Sequence, residues 1–319
     1  ETRPDFINEK EILLMRKLGI TMVELGVQTT SDDILKKNQR GHGKKEIISA
    51  TKMLKDSGFK IMYQMMPNLP GSDLKKDFSV FKEIFNNENY KPDWLKIYPC
   101  LVCKNSKLYK IWKKGNYKPY SNKELVELLI KIKIIIPDWI RLARLFRDIP
   151  APRIEAGSKT SNLREVIQSE MEKRRIRCKC IRCREVKNNF DFKEKIFLFR
   201  KDYPASRSKE IFLSFENKKR TKLFAFLRLR ILKDNFIPAL NKSSIIRELH
   251  TYGQQTPLKE RGVNPQHKGL GKKLIKKAEK ITKKEFNLSK IAVISGVGVR
   301  EYYKKLGYKL EDEYMTKNL

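Results

Sequence analysis

Ile20-Thr21-Met22-Val23-Glu24-Leu25-Gly26-Val27 is an apolar run with the length of one buried strand, and the pattern of the next 120 or so residues decides the fold around it. Residues 44–57 repeat apolar side chains at helical spacing (Ile47, Ile48, Ala50, Met53, Leu54) and stop at Gly58. Residues 59–66 form a second apolar run, closed by Pro67-Asn68-Leu69-Pro70-Gly71, a turn forced by its prolines and glycine. A helix over 73–85, a strand over 94–98, helices over 108–114 and 123–133 and a strand-like run over 139–146 continue the alternation. Such alternation predicts parallel βα units, an α/β fold arranged as an open or closed barrel, with chemistry at the C-terminal ends of the strands.

The pattern changes after residue 150. Ala151-Pro152-Arg153 opens a Gly/Ser-containing linker, succeeded by a basic segment. From 173 to 187 there are eight Lys/Arg and one acid, Glu185. From about 191 the runs read as antiparallel strands, over 194–199, 210–215 and 222–231. The last of these puts Arg228 and Arg230 on one face and Leu227, Leu229 and Ile231 on the other. A strand over 245–252, an amphipathic helix over 270–286, a strand over 291–295 and a short helix over 299–306 complete a mixed sheet. The expected division is 1–157, a linker over 158–190, and 191–319.

The 319 residues carry 71 Lys+Arg against 37 Asp+Glu, a formal charge of +34. A surface of that sign suits a polyphosphate partner. No apolar stretch approaches the roughly 20 residues a membrane span requires. The first residues, Glu1-Thr2-Arg3-Pro4-Asp5, contain no apolar leader, and a cytoplasmic protein beginning at an internal position is expected.

Gln266-His267-Lys268-Gly269-Leu270-Gly271 stands immediately before the amphipathic helix. Glycines allow close backbone approach, and the helix start offers free N–H groups to an anion. The Q-x-x-G-x-G pattern, placed between strand and helix, resembles the acetyl-CoA pyrophosphate loop of the GNAT acetyltransferases. That resemblance implies that Glu248, Leu249, His250 and Thr251 pair with the pantetheine arm. It also implies that Tyr302 or Tyr303 stands near the thioester sulfur. A phenol, with a pKa of about 10, can hydrogen-bond a developing thiolate. Adjacent helical residues point about 100° apart, so one tyrosine faces the cofactor and the other packs. His250 and Glu248 are the candidate bases. His267 suits a phosphate contact, and His42 is expected on an exposed loop.

Cys178-Lys179-Cys180-Ile181-Arg182-Cys183 is a C-x-C-x-x-C cluster. Thiolates that close repel one another unless a cation binds them, and a structural zinc is the expected occupant. Cys100 is the expected fourth ligand, with Cys103 as its substitute. An iron–sulfur cluster is the other metal reading, although the spacing departs from C-x3-C-x2-C.

Together these pieces resemble the Elongator catalytic-subunit family of radical-SAM/GNAT proteins. The carriers are Glu1-Thr2-Arg3-Pro4-Asp5, Glu24-Leu25-Gly26-Val27-Gln28, Arg40-Gly41-His42, Met66 to Ser72, Arg147-Asp148-Ile149-Pro150, Cys178 to Glu185, Arg247 to His250, Gln266 to Gly271 and Ser295 to Tyr308. The resemblance implies a partial radical-SAM barrel, a zinc-bearing linker and a GNAT domain. It implies S-adenosylmethionine, a 4Fe–4S cluster and acetyl-CoA as cofactors, and a tRNA anticodon stem-loop as partner; action without other Elongator subunits and action in a larger assembly are both compatible with it. The implied reaction adds a carbon radical, made from the acetyl group, to C5 of the wobble uridine and leaves 5-carboxymethyluridine. Glu1, Glu24 and Gln28 would line the S-adenosylmethionine cleft. Arg141, Arg144, Arg147, Arg153, Lys173, Arg174, Arg175 and Arg177 would hold phosphates. None of the five cysteines matches the family's cluster ligands, so this chain is expected to lack them and to be inactive in the radical step. The alternatives are a protein lysine acetyltransferase using the GNAT domain alone and a zinc-clamped RNA-binding scaffold.

Overall fold

A computed structural model describes residues 1–146, 149–187, 194–253 and 269–319. In chain order the first part runs α1 (Glu9–Lys17), β1 (Met22–Gln28), α2 (Asp32–Lys37), α3 (Lys44–Asp56), β2 (Lys60–Met65), α4 (Leu74–Asn86), β3 (Trp94–Ile97), β4 (Val102–Cys103), α5 (Lys107–Lys113), α6 (Asn122–Ile135), β5 (Arg141–Arg144), β6 (Ile154–Ala156), α7 (Leu163–Lys173) and α8 (Ile181–Arg184). The second part runs β7 (Ile196–Ala205), β8 (Ser208–Asn217), β9 (Leu223–Ile231), β10 (Ser244–Thr251), α9 (Leu270–Phe286), β11 (Lys290–Val293), α10 (Arg300–Lys304), β12 (Lys309–Glu311) and β13 (Tyr314–Asn318). Among the described residues no helix is long and apolar enough to cross a membrane.

The chain forms two compact units, neither of them continuous. One comprises Glu1–Asp5, Glu24–Ser49 and Met62–Cys183. The other comprises Phe6–Val23, Ala50–Ile61 and Arg184–Leu319. The division expected from the sequence, at 157 and 190, is therefore not the division by contact.

The first unit is built on a four-stranded sheet in the order β1-β2-β3-β5. β2 pairs with β3, and β3 with β5, in parallel, in the register Met62↔Trp94 and Leu95↔Leu142. Local chemistry sets the helix starts. Asp73 caps α4 by accepting the Lys76 N–H at 2.8 Å, and Ser121 with Glu124 forms a capping box on α6. The expected linker at 151 is a short 3-10 turn leading into β6, which pairs with β4. The basic segment beyond it includes α7, which buries Leu163, Ile167 and Met171.

The second unit is a seven-stranded sheet in the order β12-β13-β11-β10-β9-β8-β7. Its described pairs are antiparallel except β10 with β11. α9 packs on β9, β10 and β11 through Leu270, Leu274, Ile275, Ala278 and Ile281, the face its periodicity predicts. Arg228 and Arg230 are fully buried with the leucines of β9. Arg228 meets Glu248 at 2.8 Å, and Arg230 meets Asp56 at 2.5 Å and Glu210 at 3.1 Å. Gly58, at φ +85°, lies where a Cβ would come within 2.3 Å of Ile245. A side chain at the residue that stops α3 would be strained at this φ and would have to displace Ile245.

Candidate functional site

In the first unit polar groups gather at the C-terminal end of β1. Gln28 adopts φ +66°, a strained conformation for a side-chain-bearing residue, and is 7% exposed. A Cβ on Gly26 would stand 3.1 Å from Gln28 Nε2 and 3.4 Å from an Arg40 guanidinium nitrogen. The glycine therefore opens the space between them. Gln28 Oε1, Arg40 Nε and His42 Nδ1 have no hydrogen-bond partner among the described residues. His42 is buried at 8% exposure, with Nε2 3.5 Å from the Val27 carbonyl and Nδ1 3.9 Å from Asp5. This corrects the expectation of an exposed loop histidine: α2 and the loop after it fold back over β1. Burial, the larger cause, holds the His42 imidazole below its ordinary pKa, and Arg40 adds to it.

Glu1 and Glu24, expected in the same cleft, both accept from Gln64 Nε2, Glu1 at 2.6 Å. Glu24 also accepts from Lys96 Nζ at 2.5 Å. Burial by itself would lower the Lys96 ammonium, but its hydrogen bond to Glu24 holds it above the ordinary value. Gln64, Lys96 and Arg144 sit at one level across β2, β3 and β5. Sequence reading missed Gln64, Lys96 and Arg40. The signal for the first two was present, a polar residue with apolar neighbours on both sides within each strand.

In the second unit β10 pairs with β9 as far as Thr251 but with β11 only from Ser244 to Ile246. The two parallel strands part after Ile246, where the register of β10 also shifts. Three expected residues converge beside α9. A Cβ on Gly271 would stand 3.5 Å from the Tyr302 hydroxyl, 3.7 Å from Thr251 Oγ1 and 3.9 Å from Leu249 Cδ2. Tyr303 turns the other way, 6% exposed and edge-on to Tyr302 and Tyr308. Burial raises the pKa of both phenols, more so for Tyr303. Gly269 sits at φ +64° as the residue before Leu270, the first of α9. Gln266, His267 and Lys268 lie outside the described residues. Glu248 is held by Arg228, and His250 is exposed with its ring 4.4 Å from that of Tyr252. At the end of β11, Ser295 is 3% exposed and its hydroxyl has no partner among the described residues.

The thiols of Cys178, Cys180 and Cys183 lie within 4.8 Å of one another. Cys100 does not join them. It packs with Ile34, Leu69, Val102 and Tyr117, and burial pushes its thiol up to about 11. Cys103, on β4, is also outside the group. The trio stands at the opposite edge of the sheet from Gln28: Ile181 N–H bonds the Ile140 carbonyl, at the start of β5. Hydrogen bonds from Cys178 and Cys183 hold the Cys180 thiol well below its ordinary value, and buried Lys133 lies 4.0 Å from Cys183.

The expected phosphate contacts divide. Arg174 is engaged by Glu127 and Glu170, and Lys173 by Glu170. Arg141 lies over the Trp94 ring at 4.9 Å. Arg144, Arg153, Arg175 and Arg177 are exposed, and Arg147 lies outside the described residues.

Comparison with known proteins adds to this geometry. The Radical SAM superfamily matches residues 1–79, and the Radical_SAM C-terminal domain matches residues 92–173. The chain is 50% identical to the tRNA uridine(34) acetyltransferase of Methanocaldococcus jannaschii, over 100% of this chain and 61% of that protein. It is 44% identical to the protein of the same name from Dehalococcoides mccartyi, over 100% of this chain and 71% of that protein. Eukaryotic proteins named Elongator complex protein 3 are 40–41% identical. A solved structure of the archaeal Methanocaldococcus infernus Elp3 with N-terminus deletion (1-46) superposes with a TM-score of 0.93 at 48% identity. That match covers 100% of this chain and 77% of the solved one. The chain spans about three fifths of the length of the archaeal relatives it matches.

Proposed function

The chain belongs to the family of the tRNA uridine(34) acetyltransferases and Elongator complex protein 3, and from that premise we propose that it serves C5-carboxymethylation of the wobble uridine of tRNA, using acetyl-CoA and S-adenosylmethionine in the cytoplasm. The observation that carries the proposal is the meeting of Tyr302, Thr251 and Leu249 at Gly271, beside the point where β10 and β11 part. Parted parallel strands leave a wedge that suits an extended amide-bearing arm, as in a GNAT domain. Gly269 and the start of α9 present backbone N–H groups to a pyrophosphate. Tyr302, not Tyr303, faces this wedge and hydrogen-bonds the thioester sulfur. Gly271 keeps the first turn of α9 clear for the ligand.

Gln28 and Arg40 fit S-adenosylmethionine. An orphaned amide oxygen suits an ammonium donor, a half-buried guanidinium suits a carboxylate, and Gly26 leaves the cradle between them open. When bound with its cluster, S-adenosylmethionine supplies the radical that ordinary acyl transfer to C5 lacks. Glu1, Glu24, Gln64 and Lys96 form a paired polar floor beneath that site.

Cys178, Cys180 and Cys183 fit a structural zinc, with three thiols converging within 4.8 Å of one another. Their place by the start of β5, away from the C-terminal ends of the strands, favours zinc over the 4Fe–4S cluster. Lysine acetylation by the second unit alone has weaker support, because Glu248, one of its two candidate bases, is held by Arg228.

The test is incubation of this chain within a protein that also carries the family's cluster cysteines, with the cluster assembled, in S-adenosylmethionine, reductant, acetyl-CoA and tRNA, and then nucleoside mass spectrometry. The expected product is 5-carboxymethyluridine at position 34, with acetyl-CoA hydrolysis stimulated by tRNA. A uridine-34 left unmodified with all components present sinks the reading.

A further inference from the structure

α5 and its flanks carry Lys104, Lys107, Lys110, Lys113, Lys114 and Lys118, with no Asp or Glu between 104 and 120. All six lysines are exposed. Lys104 pairs with Glu155, and Lys107 reaches the side chain of Gln39. Lys110, Lys113, Lys114 and Lys118 have no carboxylate partner among the described residues. Lys173 and Arg174, by contrast, are neutralised on their own surface. Two half-exposed rings stand among the lysines: Tyr109 and Trp112 lie 5.7 Å apart, and Lys113 sits 5.5 and 5.4 Å from their centres.

The place of α5 matters as much as its charge. Leu108, Tyr109 and Trp112 pack against Ile34, Leu69, Cys100 and Val102. Those residues belong to the segments that leave the C-terminal ends of β1, β2 and β3. α5 therefore forms part of the rim of the sheet edge where a parallel α/β unit binds its ligands.

We infer that α5 is an RNA-binding element of the first unit, in which Lys110, Lys113 and Lys114 hold phosphates and Trp112 offers its ring to an unstacked base. The inference deepens the tRNA reading above and rests on it. Lysines on an acid-free helix supply affinity without reading sequence. An aromatic ring beside them suits a single-stranded loop better than an acidic protein, because bases stack and carboxylates do not.

The test measures binding of a tRNA anticodon stem-loop transcript to the intact protein by fluorescence anisotropy across a KCl series. The triple variant K110E/K113E/K114E is expected to bind at least tenfold more weakly. Its slope of log affinity against log salt falls by about 2, for three contacts at roughly 0.7 each. Trp112→Ala weakens binding by about fivefold or more with the slope unchanged, and Trp112→Phe restores it. Thermal melts of each variant separate misfolding from lost contact. Unchanged affinity and slope in the triple variant overturns the inference and leaves the tRNA reading standing. Competition by poly-glutamate as effective as by RNA overturns the assignment to RNA. A wild-type protein that does not bind the stem-loop overturns the tRNA reading itself.

Discussion

Buried polar side chains are partnered differently in a cluster of arginines in one unit and at the end of β1 in the other. In the second unit four buried arginines meet carboxylates: Arg184 with Glu216, Arg228 with Glu248, Arg230 with Asp56 and Glu210, and Arg247 with Glu210. Arg247, at the register shift of β10, also donates to the Phe59 carbonyl at 2.6 Å. At the end of β1 in the other unit, Gln28 Oε1, Arg40 Nε and His42 Nδ1 are left without hydrogen-bond partners among the described residues. A buried charge without a counter-charge costs far more than a paired one. The paired set therefore reads as scaffold, holding α3 and the sheet of the second unit in one arrangement. The orphaned set is the one proposed above to receive S-adenosylmethionine.

The sharpest way to break that comparison is Glu210→Gln. Glu210 faces Arg230, Arg247 and Lys55, all fully buried, so its neutralisation leaves cations uncompensated. Removing one partner of such a set costs about 3–5 kcal/mol, read as a lower midpoint in urea unfolding. An unchanged midpoint sinks the scaffold reading.

Next in size is the tyrosine pair. Tyr302→Phe is expected to lower tRNA-stimulated acetyl-CoA hydrolysis by about 100-fold, the lower end of what a positioned proton donor supplies, with the melting temperature unchanged. Tyr303→Phe, at a packed ring, has little effect on rate. Equal losses from both would remove Tyr302 from its role.

Arg40→Gln addresses the orphaned set directly. Loss of one charge-assisted contact is expected to weaken S-adenosylmethionine binding by about tenfold in calorimetry, with stability retained. Stabilisation of the protein without any loss of binding would reclassify Arg40 as an unpaired structural charge.

The smallest expected effect concerns His42. Its folded pKa lies below 6.5, chiefly through burial, so the unfolded chain takes up the proton first as the pH falls. Stability present above about pH 6.5 is then lost on acidification, and His42→Gln flattens that limb of the pH–stability curve. A curve of the same shape in the variant means that other groups set the acid limb.

Much of this architecture is visible along the chain. The alternation from β1 to β5 and the apolar face of α9 arise from periodicity, because each helix or strand must bury one stripe. α1 and α2 escape a reading by pattern for a physical reason. α1 leaves Leu13 and Leu14 almost half exposed, which blurs its periodicity, and α2 is only six residues long. β4 and β6 are two and three residues long and meet across some fifty positions, so no local signal marks them. Thiol chemistry alone draws Cys100 toward the cysteine cluster. The chain after β3 instead turns it into an apolar cluster with Tyr117.

The order of residues alone determined the α/β class, the three converging thiols, the glycine-marked start of α9 and the choice between two adjacent tyrosines. Tertiary structure decided which tyrosine faces Gly271, which cysteine stays apart, and which cations find an acid. Those outcomes depend on atoms brought together from 12 to more than 170 positions away, as Arg40 is beside Gln28 and Arg230 beside Asp56. A local pattern records which face of a strand is buried, whereas the partner waiting there is set by how distant segments pack.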